Sequence, residues 1–94
     1  MTTVANIYTY RGSMDDAVFV GRPSRYGNPW KVGKHGTRAE VIAYFRTWWL
    51  SPINQPVRAQ ALVELKGKVL LCFCAPAACH AQVIADWLNE QVAA

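Results

Sequence analysis

Residues 68–74, Lys-Val-Leu-Leu-Cys-Phe-Cys, form a nearly continuous apolar run. A strand that is solvated on one face alternates apolar and polar residues, whereas a strand covered on both faces is apolar throughout. The run therefore predicts an interior strand of a parallel sheet. Parallel strands are joined by crossovers that usually contain helices, so the run also predicts an α/β fold.

The other elements follow from local signals. Residues 4–10 and 17–20 predict two strands, and the glycines and prolines of residues 21–36 predict a long ordered loop. A helix should follow a capping box of Thr37 and Glu40, a second should begin near Pro56 and stop at Gly67, and a third should begin near Cys79. The order is β-β-loop-α-α-β-α. We expect one domain over residues 1–94, a small Rossmann-like sandwich with a short, mostly parallel sheet flanked by helices.

The composition restricts where such a chain could work. Its 94 residues contain no apolar run near the roughly 20 residues that span a bilayer, and residues 1–6 do not resemble a signal peptide. Three cysteines are an odd number, and a disulfide framework needs more pairs at wider spacing. We therefore expect reduced thiols and a cytoplasmic location, with no membrane partner.

The net charge of +4 is concentrated in one part of the sequence. Residues 11–38 contain six Arg and Lys and two Asp, and the rest of the chain contains four basic and four acidic residues. This basic stretch indicates an anionic partner such as a nucleotide, a sugar phosphate or nucleic acid. The alternative is an ordinary solvated basic surface.

The turn after the apolar run, residues 74–80, is the first candidate site segment. Residues 74–82 contain no Ser, Thr, Asp or Asn to cap the last helix, so its first N–H groups should need an anion or water. Cys74 would face the positive end of that helix, which favours a thiolate, and His80 could exchange a proton with it. Cys74 and His80 are therefore the candidate catalytic residues.

Two other interpretations of this turn stay open. Cys72, Cys74, Cys79 and His80 are all possible zinc ligands, although their spacing matches no usual zinc site. Alternatively, the cysteines are small core residues, which is the interpretation we prefer for Cys72.

Residues 21–29 are the second candidate site segment. Arginine suits phosphate, glycine and asparagine suit a sharply shaped loop, and Asn or Ser could orient a ligand. The candidate ligand-binding residues are Gly21, Arg22, Ser24, Arg25, Gly27 and Asn28, together with Cys79 of the turn. The alternative is a structural corner in which Asn28 bonds its own backbone.

These segments together resemble a known family. Val18–Ser24 with Gly27–Pro29, Gly36–Glu40, Leu65–Lys68 and Cys72–Pro76 with Cys79–His80 are similar to domain of unknown function 4326, a family of bacteria and their phages. The resemblance covers residues 4–90 and departs mildly at Phe73 and Ala81. It implies no established activity, but it supports the candidate residues as shared positions. The Cys-turn-Cys-His pattern is also similar to domain of unknown function 488.

The leading functional hypothesis is a domain that binds a phosphate-bearing ligand, a nucleotide or nucleotide-like metabolite, without a cofactor or metal. Arg22 and Arg25 would pair with the phosphate, and the N–H groups of residues 77–80 would cradle it. Cys74 and His80 would act in group transfer or hydrolysis if the protein is an enzyme. The alternatives are a non-catalytic nucleic-acid or protein interaction module, such as a phage accessory protein, and a small zinc domain.

Overall fold

The computed structural model describes residues 1–93. The strands are β1 (Thr3–Asn6), β2 (Ala17–Phe19) and β3 (Val69–Cys72), and the helices are α1 (Arg38–Trp49), α2 (Gln55–Glu64) and α3 (His80–Ala93). Single turns of 3-10 helix precede β2 at Met14–Asp16 and α2 at Pro52–Asn54. The predicted element order and the α/β fold class are confirmed. No helix in the described part of the chain is both long and apolar enough to span a membrane.

The three strands form one parallel sheet in the order β1-β3-β2. In β3, Leu70, Leu71 and Cys72 are fully buried, as expected for a central strand covered on both faces. Cys72 pairs with Asn6 of β1, and Leu71 pairs with Phe19 of β2, so the carboxyl ends of all three strands lie at one edge. Ligands of parallel α/β sheets commonly bind beyond this edge.

The strand β1 is shorter than the predicted strand over residues 4–10. The carbonyl of Asn6 accepts hydrogen bonds from the N–H groups of Thr9 and Tyr10, and its side-chain Oδ1 accepts the N–H of Tyr8. Asparagine can bond the backbone two residues further on, and this local bond competes with strand pairing. The chain therefore turns at Asn6.

Helix α1 begins as predicted, with reciprocal hydrogen bonds between Thr37 and Glu40. Its apolar stripe contributes Phe45 and Trp49, which are fully buried. Helix α3 packs against α1, β1 and β3, so the core lies between these helices and the sheet. Gly67 follows α2 with a φ of 78°, which is the left-handed conformation favoured at a helix stop.

Candidate functional site

A cavity of about 190 Å³ lies at the carboxyl ends of β2 and β3, between the loop of residues 21–29, the start of α1 and the turn of residues 74–80. Each of the two candidate segments contains one cis peptide bond, before Pro23 and before Pro76. The structure brings six of the nine candidate residues to the cavity wall: Gly21, Arg22, Asn28, Cys74, Cys79 and His80. The other three, Ser24, Arg25 and Gly27, do not line it.

Asn28 holds the loop in place. Its side chain is buried, with Oδ1 accepting the N–H of Trp30 at 2.9 Å and Nδ2 donating to the carbonyl of Val41 at 3.2 Å. Its own carbonyl accepts a hydrogen bond from the Arg22 guanidinium at 2.8 Å. Both ends of the amide are therefore occupied by the backbone, so Asn28 attaches the loop to α1 rather than offering a free group to a ligand.

The three candidates outside the cavity have different surroundings. The Arg25 guanidinium contacts the side chain of Gln60 on α2, so our expectation that Arg25 would pair with a phosphate in this cavity finds no support in its position. A Cβ at Gly27 would lie 3.0 Å from the backbone of Arg22, so the absence of a side chain allows this close approach. The Ser24 hydroxyl is buried and has no hydrogen-bond partner within residues 1–93.

The start of α3 differs from the prediction. We expected an uncapped helix, but the sulfur of Cys79 accepts the N–H of Ala81 at 3.3 Å and thus acts as the cap. The N–H of Ala77, which we assigned to a phosphate cradle, donates instead to the carbonyl of Cys74 at 2.9 Å. The prediction was wrong because it considered only residues whose side-chain oxygen is a usual helix cap. Cysteine was not considered, since sulfur is a weaker hydrogen-bond acceptor than oxygen.

Cys72 is a member of the cavity wall as well as of the core. Its thiol is 1% exposed, which agrees with the preferred interpretation, but the cavity reaches it at the end of β3. A hydrogen bond from the Cys79 thiol, aided by the N–H groups of Ala75 and Cys74, lowers the pKa of Cys72 against the opposing effect of burial. The same bond, and then burial, raises the pKa of Cys79. The two thiols therefore titrate as a pair in which Cys72 loses the first proton.

His80 is oriented by Val20, not by Cys74. Its Nε2 lies 2.8 Å from the Val20 carbonyl, which can only accept, so Nε2 carries the hydrogen and donates it. Burial lowers the pKa of His80, and the neutral ring then presents an unprotonated Nδ1 at 3.7 Å from the Cys79 sulfur. Within residues 1–93 no hydrogen bond joins His80 to Cys74. The proposed Cys74–His80 pair is thus replaced in the structure by Cys79–His80.

The charged groups at the cavity are basic. Arg22 lines it from the loop and Arg38 from the first turn of α1, where its guanidinium donates to the carbonyl of Ala78 at 3.1 Å. Among the described residues that line the cavity, none is Asp or Glu. From the sequence we counted Arg38 in the basic stretch but did not assign it to the site. Its position just after the Thr37 cap places it at the start of α1, which borders the cavity.

The model of a family described as Domain of unknown function (DUF4326) matches residues 6–90 of the chain. The chain belongs to the DUF4326 family. This confirms the family identified from the sequence motifs, whereas the similarity to domain of unknown function 488 stays a prediction. The chain matches no curated protein and no solved structure.

The side chains at the cavity of this DUF4326 domain can be compared with the ligands that a metal centre requires. In the part of the chain that the structure describes, no group of three or more His, Cys, Asp and Glu side chains is arranged to hold a metal ion. Cys79 instead caps α3 and bonds Cys72, and His80 bonds Val20. What the arrangement offers a ligand is two guanidinium groups, an exposed Cys74 thiol and aromatic side chains at the rim.

Proposed function

We propose that this DUF4326 domain binds a phosphate-bearing ligand whose anionic group enters the cavity beside Arg22 and Arg38. The observation that carries the proposal is the pair of arginines with no carboxylate among the described lining residues. Each guanidinium has five N–H donors, and within residues 1–93 one protein hydrogen bond accounts for only one of them. The remaining donors match the oxygen atoms of a phosphate, and the bonds are charge-assisted.

The size of the cavity restricts which part of the ligand it can hold. Pockets for drug-sized molecules have volumes of about 300–1,000 Å³, and a cavity of about 150 Å³ accommodates one benzene ring. A cavity of about 190 Å³ therefore suits one compact group, such as a phosphate, while the rest of a nucleotide would lie outside it. The proposal assigns the protein to the cytoplasm of a bacterial cell or a phage-infected host, in agreement with three free thiols.

The proposal is tested with inorganic phosphate and pyrophosphate as probes. A ligand that binds only the folded state raises the melting temperature in a concentration-dependent way, so thermal shift and calorimetric titration both report binding. We expect Arg38→Ala to weaken binding about tenfold or more, since a hydrogen bond to a charged group is typically worth about 1.5–3 kcal/mol. The matched control is Arg25→Ala, which removes an exposed loop arginine that contacts Gln60 instead of the cavity. No stabilisation by millimolar phosphate, or equal weakening by both variants, contradicts the proposal.

Thiol-dependent group transfer or hydrolysis is the catalytic form of this proposal. Cys74 is exposed at the cavity and Cys72 forms part of its wall, so either sulfur could meet a bound electrophile. The proton acceptor beside them is Nδ1 of His80, which is reached from Cys79. The Cys79 thiol has a single hydrogen and lies between Cys72 and His80. In place of the direct Cys74–His80 exchange expected from the sequence, the proton of Cys72 would pass to the Cys79 sulfur while the Cys79 hydrogen moves from its bond with Cys72 to Nδ1 of His80.

A nucleic-acid interaction module is the second candidate, supported by Lys31 and Lys34. Both are exposed in the segment between Trp30 and the start of α1, next to the cavity. Binding of single-stranded DNA with a steep salt dependence, weakened by replacing these lysines with alanine, would favour it. Binding that is weak and insensitive to salt would count against it.

A further inference from the structure

Two aromatic rings lie exposed beside the cavity, at the carboxyl edge of the sheet. Tyr8 is 74% exposed and Phe73, which also lines the cavity, is 52% exposed. Their ring centroids are 5.6 Å apart, and Phe19 contacts the Phe73 ring edge-on at 5.2 Å. We call Tyr8 and Phe73 the aromatic platform. Because Phe73 belongs to both features, the platform continues directly from the cavity wall to the surface.

A single side chain holds together the two segments that carry the platform. Asn6 accepts the N–H of Tyr8 at 2.8 Å through Oδ1, and through Nδ2 it donates to the carbonyls of Phe73 and Ala75 at 3.2 and 2.9 Å. The rings are therefore attached to the ends of β1 and β3 by hydrogen bonds, so neither is carried on an unattached loop tip. Oriented aromatic surface of this kind binds with little loss of side-chain freedom.

Phe19 supports the platform from β2. It contacts Phe73 edge-on, and a Cβ at Gly21 would collide with the tip of the Phe19 ring. The glycine at the cavity wall thus leaves room for Phe19 to lie against Phe73. All three strands contribute to the arrangement at the same edge of the sheet.

We propose that the aromatic platform stacks the base of a nucleotide whose phosphate occupies the cavity, an inference that rests on the proposed function. The cavity is too small for a nucleotide, so a ligand anchored by its phosphate must extend over the rim, where Phe73 lies. Every nucleobase has a π face that stacks on aromatic side chains, and such stacking is sequence-tolerant. The ligand class is therefore a nucleoside phosphate, with the base recognised by its ring rather than by hydrogen bonds.

The inference is tested by titration with adenosine monophosphate, ribose 5-phosphate and inorganic phosphate. These three probes separate the contribution of the base from that of the phosphate. For the unaltered protein we expect adenosine monophosphate to bind about tenfold more tightly than ribose 5-phosphate, as expected for one stacked base. Phe73→Ala should remove this difference, so that adenosine monophosphate and ribose 5-phosphate bind with similar affinity, and Phe73→Trp should retain it. The matched control is Ile53→Ala, which truncates an exposed apolar side chain next to α2. Circular dichroism checks that each variant is folded, and Tyr8→Ala provides a second test at the more exposed ring.

The outcomes distinguish this inference from the proposed function. If adenosine monophosphate and ribose 5-phosphate bind equally and Phe73→Ala changes neither affinity, the platform does not stack a base, although the phosphate site stands. If none of the three probes binds, the proposed function itself is wrong and the inference falls with it. If an oligonucleotide binds far more tightly than adenosine monophosphate, with strong salt dependence, the occupant is a nucleic acid and the nucleotide assignment is overturned.

Discussion

The loop of residues 21–29 and the turn of residues 74–80 line the same cavity but differ in how their polar groups are used. In the loop, the Asn28 amide bonds the backbone on both sides and Arg25 contacts α2. In the turn, one thiol caps α3, and within residues 1–93 the exposed Cys74 thiol makes no comparable structural bond. The loop therefore acts as a structural support, because its side chains attach this part of the cavity wall to α1 and α2. The turn carries the groups that are available to react.

This difference changes the roles that the sequence suggested. Both segments were expected to contact the ligand directly, the loop because Arg suits phosphate and Ser and Asn can orient a ligand, and the turn because its helix start has no usual cap. In the loop, however, only the guanidinium of Arg22 retains free donors at the cavity. An uncharged polar side chain in a compact domain is first used to satisfy nearby buried backbone groups, since leaving those groups unpaired costs about 1–3 kcal/mol each.

Replacing Asn28 tests whether the loop is a support, and should have the largest effect. We expect Asn28→Ala to lower the free energy of unfolding by about 2–3 kcal/mol, because two hydrogen bonds are lost and the buried Val41 carbonyl loses a donor. Urea unfolding measures this. Phosphate binding should weaken as well, because the lost side-chain bonds fix the position of the residue 28 carbonyl, which holds Arg22.

The matched control for that variant is Asn89→Ala on α3. Asn89 also makes two backbone hydrogen bonds, both to Thr2 and both 2.9 Å long, but it does not line the cavity. It should lower stability by about 1–2 kcal/mol without changing phosphate affinity. If both variants reduce phosphate affinity equally, the loop has no specific role at the cavity.

Replacing Cys79 tests the turn and should have an intermediate effect on stability. Cys79→Ala removes the cap of α3, which should cost about 1–2 kcal/mol, whereas Cys79→Ser supplies an oxygen that is a preferred cap and should retain most of the stability. The alanine variant should also raise the pKa of Cys72, because its main stabilising hydrogen bond is lost.

The Cys72 titration is measured by the pH dependence of its alkylation, with peptide mapping to separate it from Cys74. Cys74→Ser is the control, since that change removes an exposed thiol without removing the Cys79 donor. An alkylation profile for Cys72 that is the same in the protein with and without Cys79 would refute the thiol pair.

His80 links the two segments through Val20 and should contribute a smaller, pH-dependent effect. Burial lowers its pKa below the ordinary value of 6.5, so between the two values the unfolded chain binds more protons than the folded one. The contribution of neutral His80 is therefore complete above about pH 6.5 and is lost as the pH falls through the folded pKa.

Urea unfolding between about pH 7.5 and about pH 5 measures this dependence. The free energy of unfolding should fall with pH in the unaltered protein and fall less in His80→Gln. A slope that is the same in both proteins would show that His80 is not the titrating group.

Much of the fold was predictable because its signals are local. The apolar run became β3, the Thr37–Glu40 pair became the cap of α1, and the spacing of Phe45 and Trp49 marked the buried face of that helix. The exact end of β1 was less predictable, because residues 7–10 are as apolar and β-branched as a strand. There the side chain of Asn6 decided the outcome by bonding the following backbone.

The sequence by itself determined the parallel sheet, the family, the basic stretch and the two segments that meet at the carboxyl edge. Only the tertiary structure decided the partners within the site: Cys79 with His80 and Cys72, Arg38 at the cavity, and Phe73 beside Tyr8. The physical reason is that a strand or a cap depends on residues a few positions apart, whereas these partners come from strands and helices distant in the chain. Their contacts depend on how the elements pack, which spacing along the sequence does not record.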